Sequence, residues 1–216
     1  MRAKNHILSI LNADLDFFSE ASSHLDESVE ALRAAFSPAV YSIIYAINIQ
    51  CALNRRTEEI CKIAKECTSV NFNASQFTPN APLILKGNGV NSELFGNKLS
   101  VTVDIVSQLT GLKSRSVNRL YSLLSPVILS YLYYNYKANN LTEAQLTTYL
   151  ETMNREGRNH PPREVKNALN ALIRDDVTRS AYNTGPNFMQ AFQQDSTFFL
   201  KGLFRNIFRN GVAKAS

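Results

Sequence analysis

Two short stretches of this chain are apolar at almost every position: Ala39-Val40-Tyr41-Ser42-Ile43-Ile44-Tyr45-Ala46-Ile47 and Val127-Ile128-Leu129-Ser130-Tyr131-Leu132-Tyr133-Tyr134. A helix that is apolar all round has no face to offer water, and these runs are too short to span a bilayer. Each therefore belongs at the centre of a helical bundle. Around them, residues 15–68 and 99–155 carry apolar side chains at three- and four-residue spacings, with almost no proline and few glycines. Strand-type alternation is scarce. The fold expected is all-α, a multihelical bundle of two pseudo-repeated helical units with buried central helices set back to back.

The repeat is visible when residues 16–45 are laid over residues 104–133. Identities fall at Asp16/Asp104, Ser19/Ser107, Ser28/Ser116, Val29/Val117, Leu32/Leu120, Ser37/Ser125, Pro38/Pro126, Ser42/Ser130 and Tyr45/Tyr133. Such self-similarity suggests two copies of one helical unit. In each, a short helix leads to a turn, marked by Gly111 in the second copy, and Ser28 or Ser116 sits at an N-cap or early-turn position. Ser37-Pro38 and Ser125-Pro126 then read as the start of the next helix, because proline is tolerated at a first helical position.

The organisation expected is one helical domain over 1–216. It comprises a first unit at 15–68, an Asn/Gly/Pro-rich connecting loop at 69–98, a second unit at 99–157, and C-terminal helices at 161–216 packing on the bundle. The loop reading rests on Pro79, Pro82, Gly87, Gly89 and Gly96, with a short extended piece at Leu83-Ile84-Leu85. Thr142 is placed to cap a helix carrying Leu146, Tyr149, Leu150 and Met153. Beyond Pro161-Pro162 another helix carries Val165, Leu169, Leu172 and Ile173 on one face.

Leu94-Phe95-Gly96, Ile105 to Leu109, Gly111-Leu112, Ser116, Leu120, Leu123 to Leu129, Leu132 and Leu141 to Leu150 together resemble the YidB-like bacterial family, a domain of unknown function. The resemblance covers 94–155 well and, through the repeat, 15–50 more loosely. It implies a multihelical bundle with buried central helices and, in some relatives, fusion to a peptidoglycan-binding outer-membrane-protein-A-like (OmpA-like) domain. No such domain is among these residues, a departure from that arrangement. The family supplies no catalytic or binding residues to carry over.

Charge and cysteine usage narrow the function classes. Lys and Arg outnumber Asp and Glu by 23 to 18, a mild excess that permits an acidic partner without requiring one. Cys51, Cys61 and Cys67 are an odd number within one stretch, as expected of reduced thiols rather than a disulfide framework. The histidines, His6, His24 and His160, lie far from them, so no zinc site is expected. The apolar run after Met1-Arg2-Ala3-Lys4 is cut by Asp14 and Asp16, too short for a signal peptide, and no run of about 18 apolar residues occurs. The location expected is cytoplasmic.

No catalytic constellation stands out. There is no Gly-x-Ser-x-Gly elbow, and Lys86-Gly87-Asn88-Gly89 lacks the Gly-Lys-Ser/Thr ending of a phosphate loop, reading better as a flexible turn. Glu58-Glu59 and Asp175-Asp176 are adjacent residues pointing about 100° apart on a helix, and Arg55 with Glu59 suits a surface pair. Catalytic, cofactor-binding and metal residues are therefore expected to be none, and no cofactor is implied.

One constellation remains. From Phe198 to Arg209 a helical wheel gathers Phe199, Leu200, Leu203, Phe204, Ile207 and Phe208 on one half, with Lys201, Arg205, Asn206 and Arg209 on the other and Phe198 the one intruder among them. This is a candidate interaction face, with packing on the chain's own core as the favoured reading of it. The function expected is a non-enzymatic helical structural or protein-interaction module, self-associating or bound to another protein. A peripheral membrane-surface adaptor on anionic lipid is the alternative. A nucleic-acid-binding protein, resting on Arg55, Arg56, Lys62, Lys65, Lys113, Arg115 and Arg119, is the second alternative, and an unrecognised enzyme is the least favoured.

Overall fold

The computed structural model describes residues 15–68, 81–138, 140–155 and 161–171. Of these 87% are helical and none is in a strand, so the fold is all-α. The elements are α1 (Leu15–Leu25), α2 (Val29–Asn48, continuing as a π-helical turn Ile49–Leu53), α3 (Thr57–Cys67) and α4 (Pro82–Phe95, followed by a 3-10 turn Gly96–Lys98). They continue with α5 (Leu99–Thr110), α6 (Ser114–Ala138), α7 (Glu143–Arg155) and α8 (Arg163–Asn170).

Local chemistry accounts for most boundaries. Ser28 caps α2, its hydroxyl accepting from the Ala31 N–H at 3.1 Å. Gly111 closes α5 in the left-handed region, at φ 76°. Thr142 caps α7 reciprocally: the Gln145 N–H donates to its hydroxyl at 3.2 Å, and its own N–H donates to the Gln145 side chain at 2.8 Å. Ser116 lies in the first turn of α6, as one of its two expected positions, and is buried there with no hydrogen-bond partner for its hydroxyl.

α2 and α6 form the centre. α6 lies against α2, α3, α4 and α5, while α2 also receives α1, α5, α7 and α8. Edge-to-face ring pairs, Phe18 with Phe36 and Phe95 with Tyr121, tie α1 to α2 and α4 to α6 at centroid distances of 5.6 and 5.3 Å. Ala39 to Ile44, Ala46 and Ile47 are all buried, as an all-round apolar helix requires. In α6 the continuously buried run is Leu120 to Pro126. After the proline, Val127, Ile128, Ser130 and Tyr133 are half-buried and Tyr134 is exposed. The second apolar run is thus less central than its composition suggested.

Both prolines correct the sequence reading. Pro38 and Pro126 do not begin helices; each sits inside one. Proline's fixed φ suits a helix, and the cost lies in the missing N–H, which leaves the carbonyl four residues earlier without its usual partner. In α6 that carbonyl belongs to Ser122. In α2 the Ser42 hydroxyl turns back onto the Pro38 carbonyl at 2.6 Å.

The expected loop at 69–98 is corrected as well: from Pro82 to Phe95 it is helix, including Leu83-Ile84-Leu85 and Lys86-Gly87-Asn88-Gly89, which is neither turn nor phosphate loop. Pro82 occupies the helix start that suits it. Gly87 is explained by packing rather than flexibility. A Cβ there would overlap the Ser122 carbonyl, the group that Pro126 leaves free.

The two segments aligned by sequence both fold as a short helix, a three-residue turn and a long helix with an internal proline. Their surroundings differ, since α5 packs on α2 as well as α6, whereas α1 packs on α2. The helix Val29–Leu53 contains an 18-residue window of mean hydropathy 1.3, enough with the helix length to cross a bilayer despite lacking a continuous apolar run. Its best window is 67% buried inside the bundle.

Candidate functional site

The α4–α6 contact is lined with small polar groups. The Asn91 side-chain N–H donates to the Ser122 hydroxyl at 3.2 Å, and the Ser125 hydroxyl donates to Asn91 Oδ1 at 2.5 Å. Ser122 in turn is placed to donate to Asn88 Oδ1 at 2.7 Å or the Asn118 carbonyl at 3.0 Å. Asn91, Ser122 and Ser125 are fully buried. Their hydrogen-bonding capacity is spent on registering one helix against another. Serine hydroxyls bound in this way are positioning groups for the fold.

A second network seals the end of α4. Gln50, buried in the π-helical turn, donates to the Leu94 carbonyl at 3.0 Å and accepts from Arg56 at 3.1 Å. Arg56 reaches the Glu93 carboxylate at 2.8 Å and that of Glu59 at 2.5 Å. The carboxylates raise the Arg56 pKa further, Glu93 contributing most. The predicted Arg55–Glu59 pair is corrected here: Arg55 is exposed at φ 55°, and the adjacent Arg56 makes the bond.

Beside the same turn, Ile47, Cys51, Ile60, Cys61, Leu129 and Tyr136 are among the residues lining a narrow apolar cleft, of about 260 Å³ including open solvent. All three thiols are free, with Cys51 and Cys67 buried and Cys61 half-buried. Burial pushes the Cys51 thiol up to about 12, with the neighbouring Cys61 adding to the effect, and pushes Cys67 up to about 11. Cys61 is raised by burial and by Glu143. Thiols so shifted stay protonated near neutrality and are poor nucleophiles. No cluster of three or more metal-binding side chains occurs among the described residues.

The basic residues considered for nucleic acid are partly neutralised. Lys113 pairs with Asp26 at 2.7 Å, lowering the Asp26 pKa, while its backbone N–H donates to Glu27 at 3.0 Å. Lys62 pairs with Glu58 at 3.0 Å. Arg115 is exposed and Arg119 half-buried on the first turns of α6. The predicted interaction face, Phe199, Leu200, Lys201, Leu203, Phe204, Arg205, Ile207, Phe208 and Arg209, lies outside the described residues, as do His6, His160, Asp175 and Asp176.

Sequence reasoning missed one surface. On α5, Val101 and Leu109 are 45% and 54% exposed, with Ile105 half-buried between them, a stripe beside the buried Thr102, Val103 and Val106. The spacing of four residues was the available signal. It was absorbed into the core pattern because α5 carries apolar residues on two faces.

These features define an all-α multihelical module whose buried polar groups serve packing. The model of the family described as bacterial protein of unknown function (DUF937) matches residues 10–134, and the chain belongs to that family. The match takes in α1 to α5 and most of α6 and stops before α7, so it reaches further towards the N-terminus than the sequence resemblance and less far towards the C-terminus. No curated protein and no solved structure matches the chain.

Proposed function

We propose that this chain is a non-enzymatic helical module for structure and protein interaction, self-associating through residues 198–209. The observation that carries the reading is the separation of faces in that segment, with six large apolar side chains on one half and Lys201, Arg205 and Arg209 on the other. Burying six such side chains contributes on the order of 10 kcal/mol by transfer before ordering costs reduce it. The protonated thiols support reading the cysteines as packing groups, and three free thiols in one stretch support a cytoplasmic setting. Within the family, the motifs from Leu94 to Leu150 favour a YidB-like branch, in which some relatives carry an OmpA-like domain. The shared helix–turn–helix layout and matched identities support duplication of one unit.

Light scattering on a gel-filtration column, read at 260 and 280 nm, tests this on the full chain and on a chain ending at Gly185. A discrete multimer that becomes monomeric on truncation is expected. A nucleic-acid-free monomer whose truncated form unfolds would overturn the interaction reading. The segment's basic half favours an anionic membrane surface as second reading, for which binding to phosphatidylserine vesicles must be lost in the truncated chain.

A further inference from the structure

We propose that the mouth of the apolar cleft beside the π-helical turn binds a small quaternary ammonium ion, which rests on the ring faces of Tyr133 and Tyr136 in place of the chain's own Lys137 ammonium.

The chain already carries a cation at this place. Lys137 Nζ stands 5.9 Å from the ring centre of Tyr133 and 5.3 Å from that of Tyr136. An aromatic face carries partial negative charge and attracts a cation within about 6 Å of its centre. The two tyrosines are three residues apart on α6, so their rings share one side of the helix. Elsewhere among the described residues a cation meets a single ring, Arg33 at Phe18 and Lys166 at Tyr45. The occupant of the double seat is also replaceable. Lys137 is exposed near the end of α6, and its flexible stem can swing the ammonium into water.

Three features suit a quaternary ion as the incoming group. A primary ammonium is strongly hydrated, whereas a nitrogen covered by methyl groups keeps its charge and gives up little water on leaving solution. Those methyl groups then meet an apolar wall, because Tyr133 and Tyr136 line the cleft together with Ile60, Leu129, Leu132 and Leu146. The space, about 260 Å³ with open solvent counted, lies below the usual range for drug-sized ligands, so the ion must be small. The charge balance is the third feature. Burial and then Glu143, in the first turn of α7, raise the Cys61 pKa, while burial, Cys61 and Glu143 raise that of Tyr136, so a carboxylate stands by this mouth. The charges acting on Cys61 are Glu143 and Lys137; on α3, Lys62 is paired with Glu58 at 3.0 Å and Lys65 is exposed. Once Lys137 turns away, the carboxylate favours a replacement cation.

Choline and dimethylbutanol, its neutral isostere with carbon in place of nitrogen, test the seat on the full chain, read from the amide signals of Tyr133, Tyr136 and Lys137. Choline is expected to bind with a dissociation constant on the order of 1–10 mM, and the isostere about tenfold more weakly or worse. Lys137→Gln should tighten choline several-fold by removing the resident cation, and Glu143→Gln should weaken it about threefold. Both residues are exposed, so neither change reaches the core. Equal binding of choline and its isostere would overturn the proposal, since shape rather than charge would then be read. Choline binding unchanged in both variants would overturn it too, as would the absence of binding to the Lys137→Gln chain at about tenfold above the expected constant. Sedimentation with phosphatidylcholine vesicles, without any response to free choline, would place the cation on a lipid headgroup and overturn the free-ion form.

Discussion

At the scale of single residues, the two glycines of α4 separate packing from propensity. Gly87 faces the Ser122 backbone with no room for a methyl group, whereas nothing approaches a Cβ built at Gly89 within 4 Å. Gly87→Ala should cost about 3 kcal/mol, because backbone must move. Gly89→Ala should gain about 0.5–1 kcal/mol, as expected for an exposed helical glycine. Urea unfolding of the two variants checks the opposite signs. Arg55 offers a third site: it holds a left-handed φ of 55° with a side chain. Arg55→Gly should raise stability by about 0.5–1 kcal/mol, read as a higher melting temperature.

The thiols give a pH dependence of definite sign. Their pKa values are higher folded than unfolded, so their contribution is fully present below about 9, the ordinary thiol value. It is lost as pH rises towards the folded values of about 11 for Cys67 and about 12 for Cys51. Stability measured by denaturant should fall across that window. Thiol-labelling kinetics at pH 8 should find Cys61, the half-buried one, modified first. Caps were readable at this scale from Ser28, Thr142 and Gly111. The demand at Gly87 was not, since it comes from a carbonyl on another helix.

At the scale of elements, α4 shows where local reading fails. Its glycines and asparagines are turn residues by propensity, and the chain around them reads as a loop. Within the fold, Gly87 allows close approach and Asn91 bonds Ser122 and Ser125, so tertiary contact overrides propensity. Pro38 and Pro126 misled for a related reason: each is a sound helix start locally, yet the surrounding bundle carries the helix through it. The Arg56 latch is a property of elements too, since it joins the π-helical turn to the end of α4. Arg56→Gln should cost about 1–2 kcal/mol, and a double-mutant cycle with Glu93→Gln should recover part of it as coupling. Independence of the two substitutions would mean that the pair is only a surface contact.

At the scale of the whole molecule, the all-α class and the central place of α2 were legible because an all-round apolar helix has one stable location. The position of α6 was legible only in part: its buried run precedes Pro126, where seryl and tyrosyl side chains conceal the pattern. The α5 stripe was hidden by an apolar pattern serving two faces at once. The burial of α2 also has a consequence during synthesis. The helix Val29–Leu53 is covered by α1, α5, α6, α7 and α8, and the most extensive of these neighbours, α6, ends at Ala138. At roughly 5–20 residues per second a ribosome needs on the order of ten seconds to supply that cover. Throughout that interval the nascent chain carries a segment with the length and hydropathy of a membrane span that its own fold has not yet fully covered.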